Sequence, residues 1–200
     1  MSPKIIVATG NSGKLREIRD IFIDFPGTLI SMKEFWKDIP EIEETGDTFF
    51  ENACIKANWV FEHSTCWALA DDSGLVVDAL GGAPGVKSAR FAGIQGNTEA
   101  NNVKLLYALS DIEPENRTAR FVCSVVLRVD KETLLQAEGT CEGTIIDTLR
   151  GSGGFGYDPL FIPTGYSKTF AELTGDEKHR ISHRGKALRT LRKQLYEYYV

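Results

Sequence analysis

The sequence predicts an α/β protein with a mixed β-sheet, and three of its features support this class. Residues 4–9 form a short, β-branched apolar run typical of a buried strand, and a turn at 10–13 leads into a helical pattern over 14–25. Residues 118–129 alternate as a strand does, and a polar turn returns the chain into 134–141, which predicts a hairpin. Helical and strand patterns are mixed along the chain, which favours a mixed sheet over a purely parallel one.

Further helices are predicted from capping and periodicity. Thr48 opens a capping-box pattern, so a helix should begin near it. Asn52 and Lys56 then share one face of that helix. A helix is expected over residues 98–109, with the side chains of Val103, Leu106 and Leu109 facing the core. A last helix should begin after Ser182 and carry Leu188, Leu191 and Leu195.

Composition and charge exclude several classes of protein. The chain has 200 residues, of which 42% are hydrophobic and 26% charged, with a net charge of −5. These values suit one sizeable domain or two small lobes that share a core. An acidic chain is a poor nucleic-acid binder, although it can still hold a small anion. No apolar run reaches membrane length and the four cysteines form no CxxC pair, so we expect a cytoplasmic protein with no membrane or nucleic-acid partner.

A phosphate-binding turn is predicted where the first helix begins. The residues between the first strand and this helix are Thr9, Gly10, Asn11, Ser12, Gly13 and Lys14. Backbone N–H groups and the positive end of the helix dipole favour phosphate at such a place, and Lys14 adds a positive charge. The turn is not a Walker A loop, because Ala8 stands where that pattern requires Gly. An ordinary strand–turn–helix connection is the alternative interpretation.

Acidic residues in two segments are candidates for a metal site. Asp71 and Asp72 lie between two short predicted strands, 67–70 and 75–80, where a hydrophobic core explains them poorly. Neighbouring strand residues point to opposite sides, so only one of the two faces a given site, and the other should hold backbone or cap a turn. Carboxylates at a strand end suit Mg2+. Glu41–Gly46 offers further carboxylates, and a solvated turn is the alternative for both segments.

Aromatic and basic residues in the second half of the chain suit a nucleoside. Phe155 and Tyr157 lie in a glycine-rich loop, where they can stack on a base or plug the core. Lys178, His183 and Arg184 belong to a basic cluster at the start of the last helix, where positive charge opposes the helix dipole. An anionic or carbonyl-bearing ligand would explain this cluster; a solvated helix end is the alternative.

All these motifs occur together in one known family. The segments TGNSGK, EETGDTFFENACIKA, LADDSGLVVDALGGAPGVKSARF, GSGGFGYDPLFIP and ISHRGKAL follow one another over nearly the whole chain. The sequence closely resembles the inosine triphosphate pyrophosphatase family, in particular its dITP/XTP pyrophosphatase branch. The resemblance implies a single two-lobed α/β domain over residues 1–200. In it helices flank a long, twisted mixed sheet, with the active site in the cleft between the lobes. It also implies homodimers, a requirement for Mg2+, and hydrolysis of ITP, dITP or XTP to the monophosphate and pyrophosphate, which cleanses the nucleotide pool.

The resemblance also implies roles for individual residues. It places the triphosphate at the turn of residues 9–14, with Lys56 close by. Asp72 matches the metal-binding catalytic acid, and Glu43 matches a second metal ligand, although the adjacent Glu44 leaves the register open. The substrate contacts that it implies are Ser73, a nucleoside loop of Phe155, Gly156, Tyr157 and Asp158, and base contacts from Lys178, His183 and Arg184.

A mechanism and two competing functions follow from these roles. Mg2+ would bridge phosphate oxygens, and a water deprotonated by Asp72 or a neighbour would attack the α-phosphorus. Donors such as Lys178 and Arg184 would favour the C6 carbonyl of inosine and xanthosine over the amino group of adenosine. The alternatives are a pyrophosphatase for other modified nucleotides and a nucleotide-binding sensor without turnover. The acidic pair Glu43 and Asp72 speaks against the sensor.

Overall fold

The computed structural model describes residues 3–39 and 41–199, and in this part of the chain six strands form one mixed sheet. The strands are β1 (Lys4–Val7), β2 (Thr28–Ser31), β3 (Trp67–Val77), β4 (Thr118–Arg128), β5 (Leu134–Ile145) and β6 (Phe161–Pro163). Their order is β2-β1-β3-β4-β5-β6. Strand β1 pairs in parallel with β2 and β3, whereas β5 and β6 are antiparallel, so the predicted mixed α/β class is confirmed.

Six α-helices accompany the sheet within the described residues. They are α1 (Ser12–Ile21), α2 (Met32–Phe35), α3 (Phe49–Ser64), α4 (Thr98–Ala108), α5 (Gly175–Ile181) and α6 (His183–Tyr199). The capping box predicted at Thr48 is confirmed, since Thr48 Oγ1 accepts from Glu51 N and the Glu51 carboxylate accepts from Thr48 N. Helix α1 begins two residues earlier than predicted and ends at Ile21, before Phe25.

The chain divides into two compact units. The first comprises Met1–Asp72, Cys123–Gly139 and Arg184–Val200, and the second comprises Ser73–Val122 and Thr140–His183. Strands β3, β4 and β5 each contribute residues to both units. The predicted cleft between two lobes stays a prediction.

The core of the first unit consists of two hydrophobic layers on opposite faces of its strands. Alternation along β1 sends Ile5 and Val7 to one face and Ile6 to the other. The first face packs against residues of α1 and α6, including the predicted Leu188, Leu191 and Leu195. The second face packs against α3, through Ala53, Ala57 and Val60. Helices therefore cover both faces of these strands.

The second unit has its own core, in which the predicted orientation of α4 is partly wrong. Leu109 is buried as predicted, but Val103 is 62% exposed, and Leu105 is buried on the inner side. The inner face of α4 also carries two buried amides, Asn101 and Asn102. Hydrogen bonds of these amides fix the orientation of α4 about its own axis, so the apolar Val103 faces solvent.

The acidic segment is part of a strand and is not a turn. Strand β3 is continuous from Trp67 to Val77, although two short strands, 67–70 and 75–80, were predicted, with a solvated turn as the alternative for the acidic residues between them. Asp71 and Asp72 are both buried inside it. Polar residues are tolerated there because cations from the flanking helices neutralise them, as described below.

Candidate functional site

The turn before α1 is held by its own side chains. Asn11 is the N-cap of α1, and its Oδ1 accepts from Gly13 N at 2.9 Å and Lys14 N at 3.1 Å. Asn11 N donates to Thr9 Oγ1 at 3.2 Å, while Gly10 and Ser12 are exposed. Three backbone N–H groups of the predicted phosphate-binding turn, those of Asn11, Gly13 and Lys14, are therefore bonded within the turn.

Asp71 is the centre of a buried ion-pair network in the first unit. Its Oδ2 lies 3.0 Å from Lys14 Nζ of α1 and 3.1 Å from Arg184 Nε of α6. Arg184 also binds Glu17 on α1, with 2.5 Å between Nη1 and Oε2. Burial acts to raise the pKa of Asp71, but Lys14 and Arg184 outweigh it and hold the pKa well below its usual range. Asp71 was predicted to hold backbone or cap a turn; it holds two cations.

Asp72 points to the opposite face of β3, as the alternation predicts. Its Oδ1 lies 3.4 Å from Lys56 Nζ on α3. Its Oδ2 is buried and accepts no hydrogen bond from the part of the chain that the structure describes. Burial raises the pKa of Asp72, and attraction to Lys56 and Lys14 offsets this only in part. A buried carboxylate oxygen without a donor is costly in free energy unless a ligand supplies a positive partner.

Lys56 joins Asp72 to the acidic loop before α3. Its Nζ lies 2.8 Å from Glu44 Oε1. Burial acts to lower the pKa of Lys56, but Asp72 and Glu44 together raise it, so the ammonium form is stabilised. Glu44 therefore reaches the acidic site, whereas Glu43 is exposed. Of the two neighbouring glutamates, Glu44 is thus the one that pairs with Lys56, and the metal role predicted for Glu43 stays a prediction.

Asn52 fixes this acidic loop against α3. Its Oδ1 accepts from Gly46 N at 2.8 Å. A Cβ at Gly46 would lie 2.6 Å from Glu51 Cβ and 2.9 Å from Asn52 Oδ1, so the close approach requires glycine. Lys56 lies one turn beyond Asn52 on the same face of α3, as predicted, and both are buried. The loop and the lysine are thus positioned by one helix face.

We name two groups of side chains after the roles predicted for them from the sequence. The phosphate cluster is the set in the first unit formed by Lys14, Lys56, Arg184, Glu17, Glu44, Asp71 and Asp72. Its ion pairs join three cations to four carboxylates, a net charge of −1 when all are ionised. The nucleoside loop is Phe155–Asp158 in the second unit. Sequence reasoning missed Glu17, because nothing in its pattern distinguishes a buried helix acid from an exposed one.

Asp158 closes the nucleoside loop and binds Lys178. Its Oδ2 accepts from Phe155 N at 2.7 Å and from Lys178 Nζ at 2.7 Å. Lys178 Nζ lies 4.6 Å from the centre of the Phe155 ring, which is a cation–π contact. Gly154 has φ +71°, and a Cβ there would lie 2.1 Å from Asp158 Oδ2. The loop therefore depends on a glycine, a carboxylate and a lysine.

Tyr157 and His183 have buried rings in the second unit. Tyr157 belongs to the hydrophobic core, and its hydroxyl donates to Ser88 O at 2.9 Å. Burial raises the pKa of the Tyr157 hydroxyl. The His183 ring stacks on Phe121 with 4.8 Å between ring centres. Tyr157 thus takes the alternative role of a core plug, and base stacking stays a prediction for the half-buried Phe155.

Ser73 and Arg184 are the two remaining residues that were predicted to contact the substrate. Ser73 is half-buried in β3, directly after Asp72. Arg184 is 1% exposed and holds Asp71 and Glu17, so it positions the phosphate cluster. Its contact with a base stays a prediction.

Comparison with known proteins assigns the chain to a family. The model of the Ham1 family matches residues 5–194. The chain belongs to the Ham1 family. A dITP/XTP pyrophosphatase of Bacillus anthracis is 46% identical over 200 residues, covering 98% of each chain. Among solved structures, a HAM1 protein from Coxiella burnetii matches with a TM-score of 0.88 at 42% identity, over 98% of this chain and 99% of that one.

A further solved relative carries an activity in its name. It is the nucleoside-triphosphatase, or dITP/XTP pyrophosphatase, of Mycobacterium abscessus, with a TM-score of 0.76 and 43% identity. The match covers 94% of this Ham1 chain and 98% of that one. No helix in the described residues is long and apolar enough to cross a membrane.

Proposed function

We propose that this Ham1 protein hydrolyses non-standard purine nucleoside triphosphates (ITP, dITP and XTP) to the monophosphate and pyrophosphate. The observation that carries the proposal is Asp72, a buried carboxylate with one oxygen unsatisfied by the described residues and with Lys56 beside the other. Its relatives from Bacillus anthracis and Mycobacterium abscessus bear the name dITP/XTP pyrophosphatase. A residue poised in this way suits proton abstraction next to a phosphate.

The charges of the phosphate cluster fit a divalent cation. A net charge of −1 repels a bare triphosphate, and burial raises the pKa of Asp72 because Lys56 and Lys14 offset it only in part. Among the described residues no three Asp, Glu, His or Cys side chains are grouped to hold a metal by themselves. Mg2+ often needs only one or two carboxylates, with water and substrate phosphates completing its octahedron. We assign these carboxylates to Asp72 and Glu44.

The residues of the phosphate cluster divide the chemistry among them. Bound Mg2+ would polarise the phosphate and neutralise its charge. Lys14 and Lys56 bind phosphate oxygens and stabilise negative charge that develops during transfer. Asp72 accepts a proton from the attacking water, whose oxygen bonds to the α-phosphorus as the bond to the β-phosphate bridging oxygen breaks. Pyrophosphate leaves with that oxygen, and the nucleoside monophosphate remains.

We assign the nucleoside to the loop of the second unit. Phe155 offers a ring face for stacking on the base. Lys178 has three N–H donors, and a donor suits the C6 carbonyl of inosine and xanthosine. Adenine presents an amino group there, so a donor in the site would meet another donor, which lowers affinity for ATP. His183 and Ser73 are further proposed contacts.

Product analysis tests this function directly. The protein is incubated with ITP, XTP, dITP, GTP or ATP, with Mg2+ or with excess chelator. We expect pyrophosphate from the inosine and xanthosine nucleotides, little turnover of ATP, and none with chelator. Orthophosphate as the product, ATP as the best substrate, or binding without turnover would each refute the proposal. The last result would favour the nucleotide sensor, and preference for a modified pyrimidine would favour the other alternative.

The assembly and its location are also proposed from the family resemblance. We propose a homodimer, which light scattering at micromolar concentration would report as twice the 22.2 kDa chain mass. A monomer under these conditions would contradict it. A cytoplasmic location and the lack of a nucleic-acid partner stay predictions.

A further inference from the structure

Two consecutive asparagines on α4 form hydrogen bonds with two distant loops. Asn101 and Asn102 are 4% and 5% exposed. Asn101 Oδ1 accepts from Ala92 N at 2.7 Å, and its Nδ2 donates to Ala89 O at 3.2 Å and to Ser88 O at 3.4 Å. One side chain therefore fixes the segment of residues 88–92.

Asn102 reaches the nucleoside loop from the same helix. Its Nδ2 donates to Gly156 O at 3.2 Å, across 54 residues of sequence. The neighbouring Tyr157 hydroxyl donates to Ser88 O, the carbonyl that Asn101 also binds. These contacts close a ring from α4 through Gly156 and Tyr157 to Ser88 and back to α4. We call this ring the amide frame; its members are Ser88, Asn101, Asn102, Gly156 and Tyr157, all in the second unit.

The amide frame is anchored to β3 as well. Ser88 Oγ accepts from Leu75 N at 2.9 Å and donates to Gly85 O at 2.6 Å. Two successive residues of the nucleoside loop are thus held in place: Gly156 by α4, and Tyr157 by Ser88, which is itself bonded to β3. A loop containing several glycines has high backbone entropy, and such ties reduce the conformations available to it.

The chemistry of Asn102 is specific to its carbonyl partner. Only the amide nitrogen can donate to Gly156 O, so the orientation of the side chain is fixed. Its Oδ1 is buried and accepts no hydrogen bond from the described residues. An apolar residue would avoid this desolvation cost, so stability alone does not explain an asparagine at this position.

We propose that Asn102 is a positioning residue for nucleoside specificity. It holds Gly156 so that Phe155 and Asp158 keep the arrangement that discriminates one base from another. This inference rests on the proposed function and extends it to a residue that touches no substrate in that scheme. Loss of Asn102 loosens the loop, so KM for ITP rises and discrimination against ATP falls. Turnover at saturation changes less, because the phosphate cluster lies in the other unit and contains no member of the amide frame.

The experiment compares Asn102→Leu and Asn102→Asp with the unaltered protein. Leucine keeps the branched shape and removes both hydrogen-bonding groups, and ionised aspartate keeps the shape but cannot donate to Gly156 O. The matched control is Asn58→Leu, which removes a helix amide of the first unit that accepts from Arg128 Nε at 2.9 Å. For each protein, kcat and KM are measured for ITP and ATP, together with the inhibition constant of pyrophosphate and the melting temperature.

We expect Asn102→Leu to raise KM for ITP about fivefold or more. This factor corresponds to the net free energy of one hydrogen bond, about 1 kcal/mol. The ITP-to-ATP ratio of kcat/KM should fall by a similar factor in both Asn102 variants. The inhibition constant of pyrophosphate and kcat should stay within about twofold, because they report on phosphate binding and chemistry. Asn58→Leu should leave the ITP-to-ATP ratio unchanged.

Two results would overturn the inference. One is an unchanged KM and ITP-to-ATP ratio in a folded Asn102 variant; the other is equal losses of kcat and pyrophosphate affinity, which indicate a general structural role. If Asn102→Leu does not fold, Asn102→Ala is measured instead by the same criteria, because alanine adds no bulk. If no Asn102 variant folds, the role of Asn102 is structural and the inference is wrong. If the unaltered protein does not hydrolyse ITP, it is the proposed function that fails.

Discussion

Two adjacent aspartates on β3 should have separable roles in stability and chemistry. Asp71→Asn leaves Lys14 and Arg184 without the carboxylate that now lies 3.0 and 3.1 Å from them, in a site where Asp71 is 1% exposed. Removing one partner of a buried ion pair costs about 3–5 kcal/mol. Glu17 still holds Arg184, so we expect the lower end of that range, about 3 kcal/mol of unfolding free energy.

Asp72→Asn should behave in the opposite way. Lys56 keeps Glu44 at 2.8 Å, and the substitution removes a charge whose Oδ2 has no donor among the described residues. We expect the unfolding free energy to change by less than about 1.5 kcal/mol. Turnover should fall about 10²–10⁴-fold, the usual contribution of a positioned general base.

Urea unfolding and steady-state kinetics measure these two effects. The three tryptophans all lie in the first unit, so their fluorescence reports on the unit that contains both aspartates. The control is Arg19→Gln in the same unit, which breaks a surface pair with Glu34 and should cost less than about 1 kcal/mol. A stable Asp71→Asn together with an unstable or fully active Asp72→Asn would refute this division of roles.

The stability effect of Asp71→Asn should not depend on pH near neutrality. The folded-state pKa of Asp71 is held below its unfolded value of about 3.9, so the stabilisation is fully present above that value. It is lost only as the pH falls from there through the folded-state pKa. Unfolding measured at several pH values between 6 and 8 should therefore give the same difference, and a marked slope in this range would contradict the ion-pair explanation.

Three further predictions concern other parts of the first unit. Glu44→Gln should lower turnover at least about tenfold in a Mg2+-dependent assay, as expected for the loss of a charge-assisted contact. Glu43→Gln should leave turnover unchanged, and equal effects of the two substitutions would contradict the assignment to Glu44. Gly46→Ala should raise the Mg2+ concentration needed for half-maximal activity, because the added Cβ meets α3 at 2.6 Å, while Gly175→Ala, with nothing within 4 Å, should not. Cys123, fully buried and with its thiol pKa raised by burial, should react with a thiol reagent only as the protein unfolds; rapid reaction in the native state would show that its core is open.

Much of the fold was predictable because it depends on local patterns. The capping box at Thr48 joins residues three apart, and the stripe of Leu188, Leu191 and Leu195 lies on one helix, so both could be derived from spacing alone. The orientation of α4 could be derived only in part. Hydrophobicity favoured an inward Val103, but hydrogen bonds from Asn101 and Asn102 to segments elsewhere in the sequence outweigh that preference.

The candidate site was predictable in its residue types and less so in its pairings. Strand alternation correctly placed Asp71 and Asp72 on opposite faces. It gave no partner for either, because Lys14, Lys56 and Arg184 come from three different helices. The same lack of partners left Glu43 and Glu44 indistinguishable, and only the structure shows that Glu44 pairs with Lys56.

By itself, the sequence determined the mixed α/β class, most helix and strand positions, and the residue types of a nucleotide site, since these follow from periodicity, capping and short motifs. Only the tertiary structure decided that Asp71 is an ion-paired support, that Asp72 and Glu44 share Lys56, and that Asn102 holds the nucleoside loop. The physical reason is that the energy of a buried charge or amide depends on which groups meet it in space, and those groups are dozens of residues away in the chain.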